Sequence, residues 1–154
     1  MIKKIIKKII PWLDQSEKIY RYYIKANKII KKNPKNKIIA YFYCYKCQKK
    51  YGCIISPHAK IGKNLLLPHP IGIVIGEQAV IGDNVTIYQN TTIGRKKREK
   101  IGYPKIGNNV TIYSNSVIIG DIKIGNNATI GCNSVVLRDV KDGETVYGIV
   151  KWGE

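Results

Sequence analysis

Aliphatic residues recur along this chain with a period of six. Ile61 and Leu67 open the series, which resumes after a two-residue shift at Ile75, Ile81, Ile87 and Ile93. After a longer gap it continues at Ile106, Ile112, Ile118, Ile124, Ile130 and Val136. Gly follows the aliphatic residue at Gly62, Gly76, Gly82, Gly94, Gly107, Gly125 and Gly131, and Asn or Asp marks the turns, as in Gly82-Asp83-Asn84 and Gly107-Asn108-Asn109. A small or branched residue stands four places on: Ala79, Val85, Thr91, Val110, Ser116, Ala128, Ser134. Neither an amphipathic helix nor an alternating hairpin strand has this period. A hexapeptide repeat predicts a parallel β-helix in which six residues make one short strand and one turn, and every third strand stacks about 4.8 Å above its predecessor. The twelve hexads predict about four coils, with Gly, Asn and Asp at corners that need φ above zero. The period breaks at Pro68-His69-Pro70-Ile71-Gly72 and again over residues 95–105. Breaks in a solenoid are where loops leave the scaffold, and functional groups concentrate on such loops.

The first third follows a different pattern. Ile2, Ile5, Ile6, Ile9 and Ile10 recur at helical spacing with lysines between them, and Pro11 ends the run. Asp14 to Ser16 offer N-cap chemistry for a second helix reaching about Lys32, with Ile19, Tyr20, Tyr23, Ile24, Ile29 and Ile30 on its apolar side. Pro34 breaks it. A third helix, about residues 35–51, carries Ile38, Ile39, Phe42, Tyr43 and Tyr45 and ends at Gly52 in a C-cap position. The expected organisation is therefore a helical segment at 1–51 and a β-helix domain at 52–150.

Charge changes the picture in one respect. Residues 1–50 hold 15 Lys and Arg against 2 acidic residues, so +13 of the formal +17 lies in the helical segment. Such a segment forms against its own domain, a partner or an anionic bilayer, and peripheral membrane contact through residues 1–32 is one expectation. Nucleic-acid binding is not expected, because the Lys and Tyr residues follow helical packing periodicity and no nucleic-acid motif occurs. No stretch of eighteen apolar residues exists to span a bilayer. Four cysteines without a secretory signal point to a reducing cytoplasm. Cys44-Tyr45-Lys46-Cys47 with Cys53 matches no zinc-finger spacing, so helix packing and no metal are expected there.

Four stretches carry a family resemblance over residues 52 to 150: Ser56-Pro57-His58-Ala59-Lys60-Ile61-Gly62, His69-Pro70-Ile71-Gly72-Ile73-Val74-Ile75-Gly76-Glu77, Pro104-Lys105-Ile106-Gly107, and Gly131-Cys132-Asn133-Ser134-Val135-Val136. They resemble the serine acetyltransferase group of hexapeptide-repeat acyltransferases. The resemblance implies a left-handed coil, a homotrimer with active sites between neighbouring prisms, acetyl-CoA as co-substrate, and His69 as general base. It also implies cofactor contacts at Gly94, Ser114 and Cys132, where Cys132 is expected to pack first and to contact CoA second. The basic loop Arg95, Lys96, Lys97, Arg98 and Lys100 offers cations to CoA phosphates or to an acidic acceptor.

The chain also departs from that group. The Asp paired with the catalytic His aligns with Ile54, the acidic residue before that His with Pro68, and the second active-site His and the Arg before it with Tyr103 and Gly102. A free amino acid carries an ammonium and a carboxylate, and these positions supply neither partner. They point instead to the related O-acetyltransferases that modify a sugar hydroxyl of a surface polysaccharide or its precursor. Serine O-acetylation is the alternative, followed by amino-sugar N-acetylation and a non-catalytic scaffold.

Overall fold

The computed structural model describes residues 11–96 and 102–151, with side chains from residue 15 onward. The short helix expected over residues 1–10, and Lys97, Arg98 and Lys100 of the basic loop, lie outside the described residues. Two helices lead into a coil of short strands. Helix α1 (Pro11–Lys32) is followed by a 3-10 turn (Pro34–Asn36) and helix α2 (Lys37–Tyr51). Gly52 closes α2 in the left-handed region at φ 67°, its N–H bonded to the Gln48 carbonyl, which is the C-cap role expected for it.

The coil begins at β1 (Ile54–Ile55) and β2 (Lys60–Ile61). It continues through β3 (Val74–Ile75), β4 (Val80–Ile81), β5 (Thr86–Ile87), β6 (Thr92–Gly94), β7 (Lys105–Ile106), β8 (Thr111–Ile112), β9 (Val117–Ile119), β10 (Lys123–Ile124), β11 (Thr129–Ile130) and β12 (Val135–Val136). It ends in β13 (Thr145–Val146) and β14 (Ile149–Val150). Every pairing is parallel, and the strands fall on three faces in the orders β1-β3-β6-β9-β12-β14, β2-β4-β7-β10 and β5-β8-β11-β13. The coil is left-handed, against the right-handed habit of most parallel crossovers.

Register sets the core. On the first face Ile75, Ile93, Ile118 and Val136 lie one above another. Ile81, Ile106 and Ile124 form the second ladder, and Ile87, Ile112 and Ile130 the third. Of the twelve hexad positions all but Ile61 are buried, each stabilising the fold by about 1.5–3 kcal/mol through apolar area removed from water. The ladders outrun the repeat that is legible in the sequence. Ile55 sits above Ile75, Val146 below Ile130 and Val150 below Val136, so the six-stranded face has more rungs than twelve hexads supply.

The corner residues divide their work differently from the expectation. Seven asparagines (Asn64, Asn84, Asn90, Asn109, Asn115, Asn127, Asn133) take the left-handed conformation, with φ between 56° and 61°. Their amides join rung to rung: Asn64 donates to Asn84 at 2.9 Å, Asn84 to Asn109 at 3.1 Å and Asn109 to Asn127 at 3.1 Å. The glycines after each hexad aliphatic lie outside that φ region. Except at Gly94, their requirement is clearance: a Cβ on Gly82 would stand 2.6 Å from the Gly107 carbonyl oxygen.

Helix α1 caps the open end of the coil. A first rung has no rung above it, and its unpaired amides and carbonyls need other partners. Tyr23 donates to the Ala59 carbonyl and accepts from the Ile61 N–H, Tyr20 donates to the Gly62 carbonyl, and Asn27 donates to the Pro57 carbonyl. Ser16 does not serve as an N-cap, because the helix already starts at Pro11. Its buried hydroxyl donates to the Leu67 carbonyl at 2.8 Å and accepts from the Leu67 N–H at 2.9 Å.

Candidate active site

The first interruption of the period holds His69 at a corner between the third face and the first. Leu66 pairs with Thr86, which places Leu67 above Ile87, and the chain then turns through residues 68–72 into β3. Pro68 and Pro70 are buried while His69 between them is exposed. Two fixed φ angles and two buried rings leave the imidazole projecting from a stiff turn. The turn is anchored on both sides. Ser16 grips Leu67, the buried Cys53 thiol donates to the Pro70 carbonyl at 2.9 Å, and the Gly72 N–H donates to the Gly52 carbonyl at 3.1 Å. The Ile71 carbonyl accepts from the Asn90 N–H at 2.8 Å. Burial pushes the Cys53 thiol up to about 11, so it keeps its proton and its donor role at neutral pH.

The imidazole has an aromatic neighbour. The Tyr88 ring lies 6.2 Å from it, tilted by 49°, and Tyr113 one rung further stacks on Tyr88 at 5.2 Å and 17°. These tyrosines follow Ile87 and Ile112 directly, so the coil register alone brings them into one column. Sequence reasoning missed both, as it missed Ser16 and Cys53. A Tyr immediately after the hexad aliphatic in two rungs of one face was the available signal. Among the described residues none hydrogen-bonds the His69 ring. Ile54, at the position aligned with the family's Asp, is 45% exposed and pairs in register with Val74.

The other expected site residues divide between two edges of the six-stranded face. Ser114 and Cys132 occupy the corner that His69 occupies, the Asn133 N–H reaching the Ser114 carbonyl at 3.0 Å. Cys132 is exposed, so it does not pack into the coil as expected, and its side chain faces outward along this edge. Gly94, the last residue of β6, and Arg95 and Lys96 after it lie at the opposite corner. Among the described residues a Cβ on Gly94 would meet only the Thr92 methyl, at 4.0 Å, so none of them crowds its Cα. The Arg95 guanidinium lies 6.0 Å over the Tyr103 ring, and Tyr103 packs against Gly76. One chain therefore assembles His69, Tyr88, Tyr113, Ser114 and Cys132 along one edge and presents Arg95 and Lys96 on another. Among the described residues no group of three His, Cys, Asp or Glu side chains is placed to hold a metal ion, and burial pushes Cys44 up to about 11 and Cys47 up to about 12.

Residues 103–138 match the family described as bacterial transferase hexapeptide (six repeats). The serine acetyltransferase of Staphylococcus epidermidis is 54% identical over 72 residues, 46% of this chain and 34% of that protein. The serine acetyltransferase of Neisseria gonorrhoeae superposes with a TM-score of 0.80 at 35% identity, covering 85% of this chain and 50% of the other. A soybean serine acetyltransferase complexed with serine gives 0.79 at 35% identity, over 84% and 53%. This chain thus spans about a third of the first relative and about half of the solved ones.

Proposed function

We propose that this protein transfers an acetyl group from acetyl-CoA to an acceptor hydroxyl, with His69 as general base. The observation that carries the reading is the stiff, doubly anchored turn presenting an exposed imidazole at a corner of the coil. In the step, His69 takes the hydroxyl proton as the acceptor oxygen attacks the thioester carbonyl, and a coil N–H stabilises the oxyanion. The intermediate then expels the CoA thiolate, which recovers the proton from the imidazolium, so no acyl-enzyme forms. Gly94, whose Cα no described residue crowds, and the exposed Arg95 and Lys96 suit the pantetheine arm and phosphates of CoA, together with Lys97, Ser114 and Cys132. Arg95 and Lys96 stand at a different corner of one chain from His69. A homotrimer, with one protomer's loop corner set against the next protomer's His69 corner, would complete the site.

Free serine is the first acceptor. The relatives named above are serine acetyltransferases, and this chain keeps the His69-Pro70-Ile71-Gly72-Ile73-Val74-Ile75-Gly76 stretch at the matching place. A sugar hydroxyl is the second reading, favoured by a specific observation: Ile54, Pro68, Gly102 and Tyr103 leave an amino acid without charged partners, and the Tyr88–Tyr113 stack beside His69 suits the flat face of a sugar ring.

The test is CoA thiol release by the purified protein with acetyl-CoA and L-serine, nucleotide sugars or isolated glycans in parallel. Turnover with serine supports the first reading and turnover with a glycan alone the second. His69→Ala should lower kcat by about 10² to 10⁴, and a fall of less than about threefold would remove His69 from the reaction.

A further inference from the structure

Helix α2 is apolar on two sides, and only one of them is used. Ala40 and Cys47 are buried, with Tyr43 and Cys44 packed beside α1. On the other side Ile38 is 80% exposed, Phe42 51% and Tyr45 57%, at a spacing of four and three residues that makes one continuous stripe. Exposed apolar residues contiguous on one helix face are uncommon unless something covers them.

Cations adjoin the stripe. A groove of about 480 Å3 between α1 and α2 is lined by Lys18, Arg21, Lys25, Lys46 and Lys50 with three tyrosines. Arg21 is paired with Glu17 on its own helix, and among the described residues no acidic side chain lines the groove. Lys46 stands at the seam, with its Nζ 4.5 Å from the Phe42 ring centroid, so the stem of a groove cation lies along the stripe. Lys49, on the next turn beyond Tyr45, is exposed as well.

We propose that this face of the α1–α2 hairpin docks on an anionic phospholipid surface, with the Ile38–Phe42–Tyr45 stripe in the headgroup–acyl boundary and lipid phosphates in the groove. Charge complementarity selects this occupant. A second copy would bring the same lysines against each other, whereas a bilayer carrying negative headgroups supplies counter-charges for Lys25, Lys46 and Lys50 beside an apolar layer for the stripe. Lysine stems that lie on apolar surface with their ammonium groups in the polar zone fit that boundary. Because α1 also grips Leu67 through Ser16, docking would hold the His69 end of the coil close to the surface. The inference does not depend on which acceptor His69 serves.

Co-sedimentation of the full chain with phosphatidylcholine vesicles, with and without an equal amount of phosphatidylglycerol, tests it. Binding is expected on the anionic vesicles only and should weaken as salt rises. Lys46→Gln with Lys50→Gln should weaken partitioning by about thirtyfold, and Ile38→Ser with Phe42→Ser by about tenfold or more, both with unchanged melting because these side chains hold no core contacts. A Tyr45→Trp reporter should shift its emission to the blue on anionic vesicles, relative to the unsubstituted protein. Equal binding to both vesicle types, no binding, or wild-type binding by both folded double variants would overturn the proposal. So would a soluble dimer that Ile38→Ser with Phe42→Ser dissolves in light scattering, which would assign the stripe to a second copy.

Discussion

The coil and the helical hairpin use similar residues to opposite ends. Both are rich in Ile, Lys and Tyr. In the coil every hexad Ile from Ile75 to Ile130 is buried, because parallel register repeats the same inward position on each rung. On α2, Ile38 and Ile39 point to solvent, because a helix has only one face against the coil and apolar residues fill more than one. A solenoid turns composition into core automatically; a helix does so only as far as its neighbours reach. The hairpin's contribution to the coil is instead polar, through the side chains of Ser16, Tyr20, Tyr23 and Asn27 that cap the first rung.

Removing bulk from each region should expose this contrast most strongly. Ile112→Ala in the coil should cost about 2–5 kcal/mol in denaturant unfolding, because a rung between two others cannot collapse around the cavity. A cost under about 0.5 kcal/mol would break the comparison. Cutting the polar tie comes next. Ser16→Ala leaves the Leu67 N–H and carbonyl unpaired in a buried place and should cost about 1–3 kcal/mol. It should also lower kcat more than it changes KM for acetyl-CoA, since Leu67 leads into the His69 turn.

A smaller effect should appear with pH where the two regions meet. The Cys47 and Cys53 thiols, ordinarily near 9.0, are pushed by burial up to about 12 and about 11. A folded pKa above the unfolded one means stability that is complete below pH 9 and lost as pH rises through 11 to 12. Thermal melts across that window should therefore decline, and less steeply for Cys53→Ala. At pH 8 a thiol reagent should modify the exposed Cys132 long before Cys47 or Cys53. The smallest expected effect is at the hairpin surface: Ile38→Ala should change stability by less than about 0.5 kcal/mol, and a cost like that of Ile112→Ala would mean the stripe is covered in solution.

The period of six was sufficient to predict a parallel β-helix, its three ladders and the place where His69 leaves the scaffold, because in a stacked coil each rung's contacts are a local pattern repeated; the left hand of the coil came from the family resemblance. It did not reach the terminal rungs: the strands at Ile55, Val146 and Val150 sit outside the recognisable hexads and join the ladders only through pairing with β3, β11 and β12. Nor did it separate the two corner requirements, φ above zero for Asn and clearance for Gly, which depend on the distance to the rung above. Which residues stand beside His69 was decided by the stacking of the rungs. Tyr88 follows it by nineteen positions and Tyr113 by forty-four, and Ser16 precedes Leu67 by 51. Composition and spacing record what each rung contains, but a column of neighbours exists only once backbone hydrogen bonds have fixed which residue of one turn lies over which residue of the next.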